Sequence, residues 1–259
     1  MPRIKAETHG HSVYSDGRGS PSDIVNQAIK SGLGIIALTD HNTTRGLGEL
    51  IEATKRAQNQ GTNIIALPGV EVTTNKGHVG VYFPGREAGS PQLRWAEKAG
   101  EHNWRPSLVD VVKYTLDHNG VVVFNHPETP HIGSVRFDDI KRVAESLSDL
   151  QRRGAGIEVF SWMGQIIPGV SQREEQAHKV AADYGMREVA GTDYHRPPHV
   201  GSQQTIFEAR NFTSEAILEA FYEGKVYPGE GRPMTLFDRA QIVSDLSIGF
   251  AQGLLASKS

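Results

Sequence analysis

Ile35-Ile36-Ala37-Leu38-Thr39-Asp40-His41 is an apolar, partly β-branched run that stops abruptly on an acid and an imidazole. A run of this length and composition reads as a buried strand, with its polar residues emerging at the C-terminal end. The form recurs along the chain. Ile64 to Leu67 leads into Pro68-Gly69-Val70-Glu71, and Val121 to Phe124 leads into Asn125-His126-Pro127. Val79 to Phe83 and Ile157 to Phe160 are two more such runs.

Between the runs lie amphipathic stretches with readable ends. Ser20-Pro21 opens a helix that Gly32 closes, and Pro106 opens one that Gly120 closes. Ser171 with Glu174 reads as a capping box for a helix that stops near Gly185, and Thr213 or Ser214 starts the last clear helix, ending at Gly224. Strand and helix in alternation predict an α/β fold around a mostly parallel sheet, closed or open. Gly85 to Arg105 is polar, carries Trp95 and Trp104, and is expected to be a long loop or lid.

The composition narrows the function classes. The chain has 259 residues, 37% hydrophobic and 22% charged, which suits one α/β domain over 1–259. There is no Cys, which excludes disulfides, thiolate catalysis and Cys-ligated metal. The net charge of -3 argues against a nucleic-acid coat or an anionic-membrane binder, so no stable nucleic-acid partner and no membrane is expected. Met1-Pro2-Arg3-Ile4-Lys5 lacks the apolar run of a signal peptide, and Leu246 to Ala256 is too short for a membrane span. A cytoplasmic location is expected; oligomeric state is open.

Eleven histidines stand out, six of them at or just beyond strand edges. In Glu7-Thr8-His9-Gly10-His11, the two imidazoles are two residues apart on an extended segment and so point to one side. Ser15-Asp16-Gly17 follows. Thr74-Asn75-Lys76-Gly77 reads as a tight turn, so His78 begins a returning strand and lies near Glu71. The last group is Gly191-Thr192-Asp193-Tyr194-His195. A single His after a strand is more often structural than a ligand. In a parallel barrel, however, all these strand ends meet on one face, where so many buried titratable groups without a cation would be costly. Metal binding is the economical reading. No G-x-S-x-G elbow, Walker-type loop or dinucleotide fingerprint is present.

Taken in order, H-x-H with S-D-G, then T-D-H, G-x-E, G-H, H-P and G-x-D-x-H, these segments resemble the motifs of the PHP (polymerase and histidinol phosphatase) superfamily over roughly residues 5 to 200. The resemblance implies a distorted (β/α)7 TIM-like barrel with its metal site at the C-terminal ends of the strands, residues 201–259 completing or capping it. It also implies a trinuclear metal centre, at which a metal-bridged hydroxide hydrolyses phosphoesters, and two to three divalent ions are expected as cofactors. By that resemblance His9, His11, Glu71 and Asp193 hold one ion, Glu71 bridges to a second held by His78 and His126, and Asp16, His41 and His195 hold the third. Asp40 and Glu158 are expected to orient imidazoles by accepting their free N–H. Two departures are Glu7, where the family often has Asp, and Asn125, where a small residue is common.

The nitrogen and oxygen donor set suits Zn, Mn or Fe. Asp193, His195 and Arg196 are the catalytic candidates, Arg196 as a phosphate clamp, with Lys76 and Arg136 as weaker clamps. His102, His118, His131, His178 and His199 are read as structural or surface residues. The favoured activity is a phosphatase of small phosphomonoesters, a nucleotide or a sugar or alcohol phosphate. The alternatives are an exonuclease or phosphodiesterase acting on nucleic-acid ends, and a non-catalytic metal-binding regulatory module.

Overall fold

The structure is a computed structural model that describes residues 1–99, 105–130, 133–166 and 168–244. Trp104, His102, His131 and the segment from Leu246 to Ala256 lie outside the described residues. Nine strands form one sheet: β1 (Arg3–Glu7), β2 (Ile35–Leu38), β3 (Ile65–Thr74), β4 (Gly77–Tyr82), β5 (Val121–Phe124), β6 (Ala155–Ser161), β7 (Arg187–Gly191), β8 (Thr205–Glu208) and β9 (Val226–Pro228). Their order is β7-β6-β5-β4-β3-β2-β1-β8-β9.

The sheet curls until its ends meet. On β8, Thr205 Oγ1 accepts from Ala190 N at 2.9 Å and donates to Ala190 O at 2.7 Å, tying that strand to β7. Gly10 bridges Tyr194 in parallel, with His11 N donating to Tyr194 O at 2.8 Å and Asp193 N to His9 O at 3.1 Å. The result is an α/β fold with a nearly closed barrel, as the sequence leads one to expect.

The pairing is more mixed than expected. β1–β2, β2–β3, β5–β6 and β6–β7 are parallel, but β3–β4, β4–β5, β1–β8 and β8–β9 are antiparallel. The β3–β4 hairpin turns at Asn75-Lys76 as the sequence indicates, and Gly77 takes the φ of 127° that the turn requires. β8 and β9 carry no long apolar run, which is why they escape notice in the sequence.

Eight helices with named bounds surround the sheet: α1 (Pro21–Lys30), α2 (Leu47–Asn59), α3 (Pro91–Ala99), α4 (Leu108–Asp117), α5 (Phe137–Glu145), α6 (Asp149–Arg153), α7 (Val170–Tyr184) and α8 (Ser214–Tyr222). Ser20 caps α1 in a reciprocal capping box with Asp23, and Thr213 caps α8. Two expectations are corrected. The 85–105 segment is not one long loop, because α3 occupies its middle and buries Leu93, Ala96 and Ala99. Trp95 on that helix stacks on Tyr114 of α4, ring centroids 3.6 Å apart. Ser171 and Glu174 do not cap α7; the cap is Gly169, left-handed at φ 82°, and Ser171 lies inside the helix.

The apolar residues divide between the barrel wall facing the helices, with Ile36, Leu38, Val70, Val122 and Ile157, and the barrel interior, with Ile35, Leu67, Val123 and Phe207. Every one of them is at most 4% exposed, so the strands that carry the polar residues at the open end are held rigidly.

Candidate metal centre

Each candidate side chain stands at or near a strand end, except Asp16, which lies in the loop between β1 and α1, and Glu71. Glu71 sits inside β3, which runs on past Leu67 to Thr74, and pairs through its backbone with His41. It is fully buried at the middle of the group. Its Oε1 lies 3.4 Å from His9 Nε2 and 3.4 Å from His126 Nε2. Its Oε2 lies 3.4 Å from His11 Nε2 and 3.1 Å from His41 Nδ1.

Asp193 Oδ1 approaches His9 Nε2 at 3.5 Å, His11 Nε2 at 3.2 Å and His195 Nδ1 at 3.8 Å. Toward solvent, Asp16 Oδ2 lies 3.2 Å from His195 Nε2 and 3.7 Å from His41 Nε2. Donor atoms around one ion with bonds of about 2.0–2.2 Å stand roughly 3.0–3.5 Å apart, and the spacings around Glu71 lie in that range, while those of Asp193 to His195 and Asp16 to His41 are slightly longer.

The chain brings all nine sequence-predicted donors together. They form five groups able to hold an ion: His9–His126–Asp193, His9–His11–Glu71, His11–Asp16–His41, His11–Asp193–His195 and His41–Glu71–His78. The resemblance places His78 beside His126; here His78 joins His41 and Glu71, and His126 joins His9 and Asp193. His126 and Asp193 both hold positive φ, 31° and 57°, a costly backbone state for non-glycine residues that clusters at functional sites. His11 Nδ1, His41 Nδ1, Glu71 Oε2, His78 Nδ1 and Asn125 Oδ1 are all buried without a hydrogen-bond partner among the described residues. Five orphaned atoms at one spot are rare in a folded interior, and they fit a centre that binds cations.

The surrounding residues set orientation. Glu158, which could have faced water, is 2% exposed; its Oε1 lies 3.4 Å from His9 Nδ1 and its Oε2 accepts from His126 N at 2.7 Å. His126 Nδ1 shares a hydrogen bond of 2.8 Å with Ser134 Oγ. Gly133, at φ 71°, lies against the His78 ring so closely that a Cβ would stand 2.6 Å from it. Asp40 takes a different part from the one expected. It accepts from Ser12 N at 2.7 Å, Ser12 Oγ at 2.6 Å and Ser15 Oγ at 2.6 Å, and so orders the loop that carries Asp16 rather than an imidazole. Lys76 pairs with Asp139 at 3.2 Å and Arg136 with Glu128 at 3.7 Å, so both weaker clamp candidates are engaged elsewhere. Arg196 leads into the short 3-10 turn Pro197–His199 directly after His195.

The ionisation states follow from burial set against neighbours. Burial opposes charge on Glu71 and Asp193, yet the adjoining imidazoles, His9 foremost, hold both carboxyls well below the usual range. Burial likewise opposes the His195 imidazolium, but Asp16 and Asp193 raise it to about 9. His41 goes the other way, down to about 3, through burial and the neighbouring His11.

Glu7 has a part that its sequence position conceals. It accepts from Thr192 Oγ1, from Thr192 N at 3.1 Å and from Gly201 N at 3.0 Å, pinning the loop after β7 to β1. Burial raises its carboxyl from 4.5 to about 7, against the lowering effect of those hydrogen bonds. The folded chain therefore holds a proton that the unfolded chain has released, and stability falls as pH rises from about 4.5 to 7. Glu7→Gln is expected to remove up to about 3 kcal/mol of that loss. The measurement is the pH dependence of the urea midpoint, from pH ~5 to pH ~8, of chelator-treated wild type and variant. Identical pH dependence in the two proteins would show the carboxyl to be unperturbed.

A barrel that gathers imidazoles and carboxylates in this number at the open ends of its strands is built to hold metal ions. The PHP domain model matches residues 7–103 and the PHP-associated model residues 173–226, and the chain belongs to the PHP-domain family. Similar proteins include a 5'-3' exoribonuclease of Haemophilus influenzae, 36% identical over 81 residues, covering 31% of this chain and 28% of the relative. A 3',5'-nucleoside bisphosphate phosphatase of Chromobacterium violaceum is 35% identical over 79 residues, covering 30% of this chain and 26% of the relative. The chain thus spans little more than a quarter of either relative's length. A two-domain protein of Bacteroides vulgatus containing a predicted PHP-like metal-dependent phosphoesterase shares the fold, with a TM-score of 0.64 at 19% identity over 89% of this chain and 65% of the other. No described helix is long and apolar enough to cross a membrane.

Proposed function

We propose that this chain is a phosphatase of small phosphomonoesters, a nucleotide or a sugar or alcohol phosphate. The observation that carries the reading is the cluster of orphaned buried donors around Glu71. His9, His11, Glu71, His126 and Asp193 on the buried side, with Asp16, His41, His78 and His195 toward solvent, would hold two to three divalent ions of Zn, Mn or Fe. Ions bound there supply positive charge for phosphoryl oxygens and acidify water. Three carboxylates leave that charge incompletely neutralised, which suits an anionic substrate.

The chain's own residues do the positioning. Glu158 and Ser134 fix His126, Asp40 fixes the Asp16 loop, and the buried floor at His9 and Glu71 excludes bulk water from one side. Substrate approaches over Asp16, half exposed, with His41 and His195 beside it. Arg196, next to His195, would bind a phosphoryl oxygen. A shallow groove leads from His126 and Glu158 past Pro127 and Thr129 to Arg173 and Glu174.

The test is phosphate release from mononucleotides and sugar phosphates, beside a labelled oligonucleotide, with Mn²⁺ or Zn²⁺, for wild type and His126→Ala. Metal-dependent release from a monoester, lost in the variant, supports the reading. Shortening of the oligonucleotide without monoester release transfers the site to nucleic-acid ends. Neither reaction from metal-loaded protein leaves a binding module.

A further inference from the structure

Asn125 follows β5 directly and is fully buried. Its amide nitrogen lies 2.9 Å from Glu71 Oε1 and 3.4 Å from His9 Nε2, within the spacing that the ligand atoms themselves keep. An amide nitrogen has no lone pair to give a cation, whereas an amide oxygen is a hard donor. That oxygen, Oδ1, is the orphan: it is buried and has no hydrogen-bond partner among the described residues. His9 meets Glu158 through Nδ1, so its Nε2 is the atom left to face an ion. An ion on Nε2 takes the lone pair to which the Asn125 amide now donates and repels the N–H at the same place. Half a turn about the last side-chain torsion, which is broad and roughly two-fold for Asn, exchanges the two ends without moving the backbone.

We propose that Asn125 is a further ligand of the centre, presenting Oδ1 to the ion held by His9, His126 and Asp193. The inference rests on the metal-centre reading above and adds a neutral oxygen donor to it. Such a donor biases that position toward Mn²⁺ or Fe²⁺ over the softer demands of Zn²⁺.

The experiment measures Mn²⁺ affinity and stoichiometry by equilibrium dialysis with elemental analysis, on full-length wild type, Asn125→Ala and Asn125→Asp. Far-UV circular dichroism of the chelated proteins confirms that each variant is folded. As a ligand, Asn125 predicts an affinity at least about 10-fold weaker in Asn125→Ala. In Asn125→Asp, which offers oxygen in either orientation, affinity is kept or strengthened. If the residue only donates to Glu71, the Asp variant sets two carboxylates side by side and weakens Mn²⁺ binding as much as Ala or more, which overturns the proposal. Wild-type affinity in Asn125→Ala overturns it as well. Should Asn125→Ala fail to fold, the Asp variant decides alone, because the two roles predict opposite signs. Absence of Mn²⁺ binding by wild type defeats the metal-centre reading itself, an outcome distinct from the others.

Discussion

Glu71→Gln is expected to lower phosphoester turnover by about three orders of magnitude, corresponding to roughly 4 kcal/mol of transition-state stabilisation, and to lower the number of ions bound. Glu71 is a fully buried carboxylate whose two oxygens face different imidazoles, His9 and His126 on one side and His11 and His41 on the other. Glutamine keeps the shape but puts an N–H₂ where one of those oxygens stood. It can serve at most one side, and it removes a negative charge from a position where His9 and His41 depend on it. The check is elemental analysis beside steady-state kinetics at saturating Mn²⁺. Unchanged metal content with full turnover would mean that the two halves of the cluster do not share a bridge.

Gly191→Ala is expected to destabilise the protein by about 4 kcal/mol or to prevent folding. A Cβ at this position would stand 2.0 Å from Glu158 Oε1 and 3.0 Å from His9 Cβ. Neither neighbour can retreat cheaply. Glu158 is buried and holds both His9 and the backbone N–H of His126, while His9 is 1% exposed. Displacing the carboxylate adds an unsatisfied buried donor, about 1–3 kcal/mol, to an overpacking cost of similar size. Denaturant titration of the metal-free variant reads the effect. A loss below about 1 kcal/mol would mean that β7 shifts away from β6 at little cost.

The barrel's strands and the imidazoles and carboxylates gathered at their ends were legible because both rest on local signals. An apolar run that ends on His or Asp needs no partner to be recognised, and the order of such ends along the chain is itself specific. What escaped depends on partners distant in sequence. Glu7 looks like an ordinary strand-end acid until Thr192 and Gly201 are found on it. Asp40 stands beside His41 yet serves Ser12 and Ser15. Asn125 looked only like a deviation, since nothing nearby in sequence says that its oxygen lacks a donor. Helix α3 was hidden because two of its three buried contacts are alanines, a faint apolar signal in a polar stretch. Ser171-Gln172-Arg173-Glu174 fits a capping pattern by residue type alone, but Gly169 already turns the chain into the helix two residues earlier.

The seam between Gly10 and Tyr194 joins segments far apart in the sequence, and the same backbone stretches carry His9, His11, Asp193 and His195. Closing the barrel and assembling the centre are therefore a single event during folding. A chain emerging from the ribosome lacks both until residue 195 is free, however completely its earlier strands have paired. Contacts so distant in sequence form slowly because a long loop must close before they repay its entropy. Assembly of the centre thus waits on contacts between distant parts of the chain, and a product truncated before Asp193 would lack two of its donors, Asp193 and His195.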